Sequence, residues 1–397
     1  METPVSPGSS PGGGVNRSGG SISARVELWG ETHLGSPVWC IAGGKSGILC
    51  GCDNGSIVLL NSNLDCCFRL EAAHGASPVV RLSWGDDGVH FLSVGTDLTV
   101  KVWCLVTDGG RRADCVFTLP QISPVISAEF HPDTYRDTSR KSVGVSEVGD
   151  PRANGARSCM VLVLTADRKI TVWTDGMVEQ YESLSFKESS PVCMSLRMVA
   201  RIPYIAIGTK TGELLIYSFQ SSADGLVFDQ SLLCRNRQGK FKDGTPIVSI
   251  YWVSDSSLVV ASQDDRIRLI SVSLKEKCMS VVSKFKGHLS SRGEVGLSAF
   301  AVSPPFGPRI IQCGSECGKV YMWTVSADKR NKSFRSSLSN SNAFSPKEAW
   351  TAVAAPDKLT TLCPAPWSPD KGRIGASCTI TGSLDGAIRL FICKYDS

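Results

Sequence analysis

The sequence lacks a long apolar segment. Its longest apolar runs are short pieces such as Met160 to Leu164, well below the roughly 18 residues of a membrane-spanning helix. The first residues, METPVSPGSSPGGG, have neither the basic start nor the apolar core of a secretory signal. We therefore expect no transmembrane segment and a cytoplasmic protein in a reducing compartment.

A strong excess of either charge is also absent. The chain has 42 Lys and Arg residues against 37 Asp and Glu residues, which gives a net charge of +5. A dedicated nucleic-acid binder concentrates much more positive charge, so nucleic acid is not expected as a partner. With 397 residues, 42% of them apolar, the chain can bury a large core.

The 16 cysteines do not have the spacing of a zinc site, which needs two spaced Cys or His pairs. Cys50 with Cys52 and Cys66 with Cys67 come nearest, but both pairs lie in strand-like segments without a second pair. In a reducing compartment, cysteines serve as small buried apolar residues rather than as disulfides. We expect no metal and no cofactor.

Residues 1–23 form a segment of distinct composition. They contain 15 Gly, Ser or Pro residues and too little apolar surface to offset the entropy of an ordered chain. We expect a disordered tail at 1–23, followed by one large domain at 24–397.

A repeated β pattern fills that domain. Helical periodicity is scarce, and short β-branched runs recur between clusters of Gly, Asp, Asn and Ser. Each unit has a tight turn with an anchor residue, often Asp, and an aromatic or aliphatic residue six positions later. Clear copies pair Asp97 with Trp103, Asp167 with Trp173 and Asp385 with Phe391.

Weaker copies bring the number of units to seven. They are Asn54 to Leu60, Thr211 to Tyr217, Asp264 to Ile270 and Cys317 to Trp323. The first and second anchors are 43 residues apart, and the third and fourth are 44 apart. Such spacings are typical of one four-stranded propeller blade.

These units resemble the repeats of WD-repeat β-propellers. One unit is nearly complete and carries His74, Ser93, Asp97 and Trp103, which in such blades form a buried hydrogen-bond network. A second His, His288, lies in KGHL, but the anchor of that unit is Cys317, so its network must be incomplete. The resemblance implies an all-β fold, a seven-bladed WD-repeat β-propeller.

A His, a Ser and an Asp also suggest a hydrolase triad. A triad needs an exposed nucleophile, a base and an oxyanion hole. Here the three residues have blade-defining spacing, which favours a satisfied structural network. An enzyme in the central channel would need several carboxylates or His residues at the axis, and the turns offer mainly Ser, Thr, Gly and Cys. We expect no catalytic residue and no enzymatic activity.

The two ends of the domain predict how the ring closes. The last unit stops at Phe391 to Lys394, after its third strand, and Ala24 to Trp29 is an unpaired strand at the other end. We expect this N-terminal strand to complete the last blade and remove its open edge. Two insertions, at about 133–157 and 326–346, are expected on the bottom face.

The top face, formed by the turns between second and third strands and the links between blades, is the expected binding surface. The link CRNRQGKFKDG groups Arg235, Arg237, Lys240 and Lys242, and the turn of the fourth unit adds Lys210. This candidate rim could bind an acidic peptide, a phosphorylated segment or an anionic lipid headgroup. The alternative is a solvated loop that pairs with nearby Asp residues.

Several segments narrow the resemblance. DDRIRLI, KFKGH, GSECGKVYMW, GSLDGAIRLF and CRNRQGKF are similar to the propeller of the WD-repeat-containing protein 44 family, over about residues 30–395. That family implies a Rab GTPase effector, peripheral on endosomal or Golgi membranes. Its members bind the Rab protein through a long region ahead of the propeller. A short tail occupies that place here, so no residue of this chain is assigned a Rab-binding role.

The leading hypothesis is a non-enzymatic protein–protein interaction scaffold in vesicle or endosomal trafficking, with proteins or peptides on its top face. The alternative is a substrate receptor or adaptor of a ubiquitin ligase or another multiprotein complex. Such receptors usually carry an Arg two residues after a Trp-Asp pair, but Trp103 precedes Cys104 and Trp173 precedes Thr174.

Phosphoinositide-binding propellers carry an FRRG-like motif, and FRRG does not occur. Direct lipid contact stays open only through the basic rim.

Overall fold

The computed structural model describes twelve stretches of the chain. They are 23–106, 111–131, 134, 159–183, 189–219, 226–234, 244–290, 299–302, 309–325, 350–353, 359–365 and 376–396. Within them the chain forms 28 β-strands and no helix. No helix in these stretches has the length and apolar character of a membrane span.

The strands form seven antiparallel sheets of four strands, the blades. Blade 1 contains β2 (Val38–Gly44), β3 (Gly47–Cys52), β4 (Ile57–Leu60) and β5 (Cys66–Leu70); blade 2 contains β6 (Val79–Trp84), β7 (His90–Gly95), β8 (Thr99–Val106) and β9 (Arg112–Pro120); blade 3 contains β10 (Val125–Phe130), β11 (Met160–Thr165), β12 (Lys169–Thr174) and β13 (Met177–Ser183).

The remaining blades follow the same pattern. Blade 4 contains β14 (Pro191–Val199), β15 (Ile202–Thr209), β16 (Glu213–Phe219) and β17 (Leu226–Leu233); blade 5 contains β18 (Ile247–Ser254), β19 (Ser257–Ser262), β20 (Arg266–Ser273) and β21 (Cys278–Lys286); blade 6 contains β22 (Ala299–Val302), β23 (Arg309–Gly314), β24 (Lys319–Val325) and β25 (Trp350–Val353); blade 7 contains β26 (Leu359–Pro364), β27 (Ala376–Ser383), β28 (Ala387–Asp396) and β1 (Ser23–His33).

The blades are arranged in a closed ring. The first strand of each blade contacts the first strand of the next, from β2 through β6, β10, β14, β18 and β22 to β26, and β26 contacts β2. These seven inner strands therefore surround a central channel. The seven-bladed, all-β propeller expected from the sequence is confirmed.

Strand β1 closes the ring as the outer strand of blade 7. It pairs antiparallel with β28, from Ser23 opposite Asp396 to His33 opposite Ala387, with a register shift between Leu28 and Gly30. The predicted closing strand is confirmed, and it extends four residues beyond Trp29. The outer edge of β28 is paired along this ladder, so blade 7 has no open strand edge there.

The hydrophobic core lies between neighbouring blades. Leu162 and Ile170 of blade 3 share a buried cluster with Ile205 and Leu215 of blade 4. All residues of β3 and β4 are buried, because each middle strand is covered by a blade on both faces. Such strands read as continuous apolar runs rather than alternating ones, and apolar burial of this kind is the main stabilising term of the fold.

The turns between second and third strands share one backbone feature. The residue after each anchor has a positive φ in all seven blades: Gly55 (78°), Leu98 (64°), Arg168 (68°), Gly212 (84°), Asp265 (57°), Gly318 (74°) and Gly386 (81°). Glycine adopts this left-handed conformation without steric cost. Four of the seven positions hold it, which explains the small residues seen near the anchors.

Because successive strands alternate in direction, these turns lie on one face together with the links between blades. We call it the top face. The two predicted insertions follow Phe130, the last residue of β10, and Val325, the last residue of β24. Both strands end on the face opposite the top face. Apart from Thr134, residues 133–157 and 326–346 lie outside the described stretches, so their placement on the bottom face stays a prediction.

Candidate functional site

In blade 2 the four network residues lie within hydrogen-bond distance of one another. His74 Nδ1 is 3.0 Å from Asp97 Oδ1, and His74 Nε2 is 2.7 Å from Ser93 Oγ. Trp103 donates its indole N–H to Ser93 Oγ over 2.9 Å. Asp97 also accepts hydrogen bonds from the backbone N–H and the hydroxyl of Thr99. The network fixes the link, the turn and β8 to one another.

Burial separates this network from a catalytic triad. Ser93 is completely buried and His74 is 2% exposed, so a substrate has no path to the hydroxyl. Burial also lowers the pKa of His74, although Asp97 opposes the shift. A neutral ring whose two nitrogens both have partners is a satisfied structural group.

Gly95 makes room for this network. A Cβ at Gly95 would lie 2.3 Å from His74 Nδ1 and 2.4 Å from Asp97 Oδ1, which is inside contact distance. The equivalent residue, two positions before the anchor, is Thr165 in blade 3 and Ser262 in blade 5, and its hydroxyl donates to the anchor carboxylate. The imidazole and this side chain therefore compete for one space.

Blade 5 uses a different anchor. Arg268 Nη2 donates to Asp264 Oδ2 over 2.5 Å, and Nη1 donates to Oδ1 over 3.1 Å. Ser262 accepts from Arg268 and donates to Asp264. Arg268 is only 1% exposed, so a buried two-point ion pair replaces the His, Ser and Trp of blade 2.

Blade 7 repeats this arrangement and joins it to the closing strand. Arg389 donates to Ser383 Oγ and to Asp385 Oδ2, each over 3.0 Å. The same guanidinium lies 2.8 Å from Glu31 Oε1 of β1. Sequence analysis found Asp264 and Asp385 but missed both Arg residues. The shared spacing Ser-x-Asp-x-x-x-Arg, with Ile-Arg-Leu at its end, was the available signal.

The anchors of blades 3 and 6 are incomplete. Asp167 accepts from Thr165 and forms an exposed ion pair with Lys169 at 3.0 Å, while the indole N–H of Trp173 has no partner among the described residues. In blade 6 neither His288 nitrogen nor the Trp323 indole N–H has a partner within the described part of the chain. The His288 ring instead packs edge-on against Trp323, with centroids 6.0 Å apart.

His288 predicts how stability depends on pH. Burial lowers its pKa from 6.5 to about 4, against the opposing charges of Asp265 and Asp264. Below pH 6.5 the unfolded chain binds this proton before the folded protein does, so stability falls as the pH drops from 6.5 towards 4. Replacement with Phe keeps the contact with Trp323 and removes the titration. Between pH 7.5 and pH 4.5, the free energy of unfolding of His288→Phe should therefore fall by about 1–3 kcal/mol less than that of the intact protein.

Urea unfolding of both proteins at the two pH values measures this difference. The comparison between variants is needed because Glu129, whose pKa is raised, stabilises the fold as the pH falls and partly masks His288. Identical pH profiles for His288→Phe and the intact protein would contradict the assignment.

The candidate rim is only partly within the described stretches. Lys210 is exposed and follows β15 in the top-face turn of blade 4, where its backbone N–H bonds Ser190 O. Arg235, Arg237, Lys240 and Lys242 lie outside the described residues. Asp264, an acidic residue of the following blade, is engaged by Arg268 and Arg266. The rim as a whole stays a prediction.

The inner strands line three neighbouring cavities that share lining residues. The upper mouth of the central channel has a volume of about 310 Å³ and is walled by the first residues of the inner strands, including Trp39, Ile126 and Arg81. Arg81 also lines the chamber below, which has a volume of about 500 Å³. Glu129 lines both that chamber and a lower cavity of about 140 Å³. Sequence analysis judged the chemistry of the channel from the residues of the turns. The inner strands line the channel instead, and they contribute the cation Arg81 and the carboxylate Glu129.

Cysteines in the channel wall are poor nucleophiles. Burial raises the pKa of Cys193 and of Cys363 to about 12, so both thiols stay protonated near neutral pH. The cysteines whose side chains the structure describes are all free. Within the same residues, no group of three or more His, Cys, Asp or Glu side chains could hold a metal ion.

Comparison with known proteins agrees with the geometry of blade 2. The family model described as "WD domain, G-beta repeat" matches residues 65–104, the segment that contains all four network residues. A search of curated proteins found no match. Together with the seven blades, this match shows that the chain folds as a seven-bladed WD-repeat β-propeller, an architecture that fits a protein-interaction scaffold.

Proposed function

We propose that the protein is a non-enzymatic scaffold for protein–protein interaction, and that it acts in vesicle or endosomal membrane trafficking linked to Rab GTPases. The closed ring is the observation that carries the scaffold role. Its anchors hold the top-face turns through buried hydrogen bonds, as in His74–Asp97 and Arg268–Asp264, so the turns form a rigid platform. Loops on a rigid platform are common binding surfaces.

The trafficking setting rests on the resemblance to the WD-repeat-containing protein 44 family. Two of its segments, DDRIRLI and GSLDGAIRLF, include Arg268 and Arg389, the buried cations of blades 5 and 7. The most specific segment, CRNRQGKF, supplies Arg235, Arg237 and Lys240 of the candidate rim. Lys210 is exposed in the adjacent top-face turn. Acidic or phosphorylated peptides suit such a cluster of cations.

Proximity labelling in cells tests the proposal. The intact chain is compared with the variant Arg235→Glu, Arg237→Glu, Lys240→Glu, and with a control that reverses Lys275 and Lys277 on the opposite face. Rab and endosomal proteins should be labelled by the intact chain and by the control, and lost from the rim variant. Equal labelling by all three proteins would contradict the proposal that the rim binds partners. Enrichment of ubiquitin-ligase subunits would instead favour the alternative role as a substrate receptor.

A further inference from the structure

The channel chamber has the size and the polarity of a small-molecule site. Its volume of about 500 Å³ falls in the range of roughly 300–1,000 Å³ for such sites. The hydroxyls of Ser83, Ser127, Ser195 and Ser249 line it together with apolar side chains. A few polar groups in a concave wall are what fix the orientation of a small ligand.

The charged residues of the chamber lie at two successive levels along the inner strands. Strand pairing places Arg81 at the level of Ser127 and Cys193, directly after the register shift of each inner strand. Two residues further along, Ser83, Glu129 and Ser195 form the next level. One cation thus lies above one carboxylate, on neighbouring blades.

Within the described stretches, Arg81 has no carboxylate oxygen within 4 Å of its guanidinium and no hydrogen-bond partner. Its charge acts on Cys40, Glu129 and Cys193, which belong to three other blades, so the side chain extends towards the axis. Arg81 is half-buried, and a partly desolvated guanidinium binds a carboxylate through two parallel hydrogen bonds. The other cation of the chamber, Arg197, is paired with Asp255 at 2.8 Å.

We propose that the channel chamber binds a small organic carboxylate, with Arg81 contacting the carboxylate oxygens and the serine hydroxyls and Glu129 contacting polar groups of the ligand. This inference is independent of the trafficking role and of the candidate rim. A monoanion suits the chamber better than a phosphate dianion, because a single unpaired guanidinium with a carboxylate one level below neutralises only one negative charge.

Glu129 makes the binding depend on pH. Burial raises its pKa to about 7, opposed by the Arg81 charge and a backbone hydrogen bond at Leu196. The ionised form repels an anion, while the protonated form donates a hydrogen bond. The other titratable or charged groups that line the channel cavities are Cys40, Asp86, His131, Cys193, Arg197, Tyr251 and Cys363. Of these, the Cys193 and Cys363 thiols do not titrate between pH 6 and 8, because burial raises their pKa to about 12.

Isothermal titration calorimetry of the full chain tests the site with acetate, L-lactate, L-malate and inorganic phosphate at constant ionic strength. The tightest carboxylate is expected to bind about tenfold more strongly at pH 6 than at pH 8. Arg81→Met should weaken it at least tenfold at pH 6, and Glu129→Gln should reduce the pH ratio to about one. Lys275→Met removes an exposed cation outside both the chamber and the candidate rim, and should leave the affinity unchanged.

Thermal melting first shows whether each variant folds. If Arg81→Met does not fold, Arg81→Lys keeps the charge without the planar fork, and a loss of about threefold or more is then expected. The proposal is overturned if none of the carboxylates binds, or if the Arg81 variants bind as tightly as the intact protein. Binding of phosphate alone would overturn the carboxylate assignment.

Discussion

Replacing Asp264 with Ala should lower the free energy of unfolding by about 3–5 kcal/mol, because it leaves a buried guanidinium without its counter-ion. Arg268 is 1% exposed and binds both carboxylate oxygens of Asp264. Removal of the carboxylate also takes away the nearer acceptor of the Ser262 hydroxyl, which keeps only the Arg266 carbonyl at 3.3 Å. Urea unfolding at pH 7.5, followed by tryptophan fluorescence, measures the change.

A double-mutant cycle separates loss of the pair from loss of the side chain. Asp264→Ala combined with Arg268→Met removes both charges, and we expect the double variant to be more stable than Asp264→Ala alone. Asp167→Ala is the matched control at the same turn position. Its ion pair with Lys169 is more than a third exposed on both sides, and solvent-exposed pairs contribute about 1 kcal/mol or less. Equal losses for Asp167→Ala and Asp264→Ala would contradict the proposed role of burial.

Removal of β1 is expected to have the second large effect. Deletion of residues 1–33 exposes the whole outer edge of β28, which pairs with β1 from Ala387 to Asp396. Arg389 also loses Glu31, its 2.8 Å partner. An open, apolar strand edge is a template for pairing with another chain. We therefore expect oligomers or aggregates and a loss of cooperative unfolding, measured by light scattering coupled to size exclusion and by thermal melting.

The control for this deletion removes only residues 1–22. It leaves every described strand intact, so this variant should keep the oligomeric state and the melting temperature of the full chain. Glu31→Ala, a milder change, tests the ion pair without opening the edge and should lower the free energy of unfolding only slightly, because Glu31 is itself a third exposed. If the 1–33 deletion keeps the oligomeric state and the melting temperature of the full chain, ring closure does not depend on β1.

Much of the fold could be predicted from sequence because its signals are local and repeated. Each anchor and the residue six positions later are separated by a turn and one short strand, so their spacing does not depend on the rest of the chain. Substituted anchors such as Cys317 and Thr211 kept this register. The positive φ after the anchor, at Leu98, Arg168 and Asp265, was not predictable, since non-glycine residues rarely adopt it.

Two parts of the site could not be predicted, for different reasons. Arg268 and Arg389 lie in strands that pair with both neighbours, and an Arg is usually found at the surface. Their burial becomes evident only when the anchor carboxylate is seen to face them. Arg81 and Glu129 lie in the inner strands of neighbouring blades, and their juxtaposition arises from the packing of β6 against β10. A sequence gives no distance between residues that far apart in the chain.

Pairing of β1 with β28 also determines on which face of the propeller β1 begins and β28 ends. Ser23 and Asp396 are direct neighbours, and β28 starts at a top-face turn, so both residues lie at the opposite face. A domain fused directly at Ser23 or at Asp396 would therefore be tethered on the side away from the top-face turns and the upper channel mouth. Once residues 1–22 are removed, Ser23 and Asp396 could be joined by a short linker and the chain reopened at another surface turn. Such a circular permutant would move the tether around the disc while keeping all seven blades.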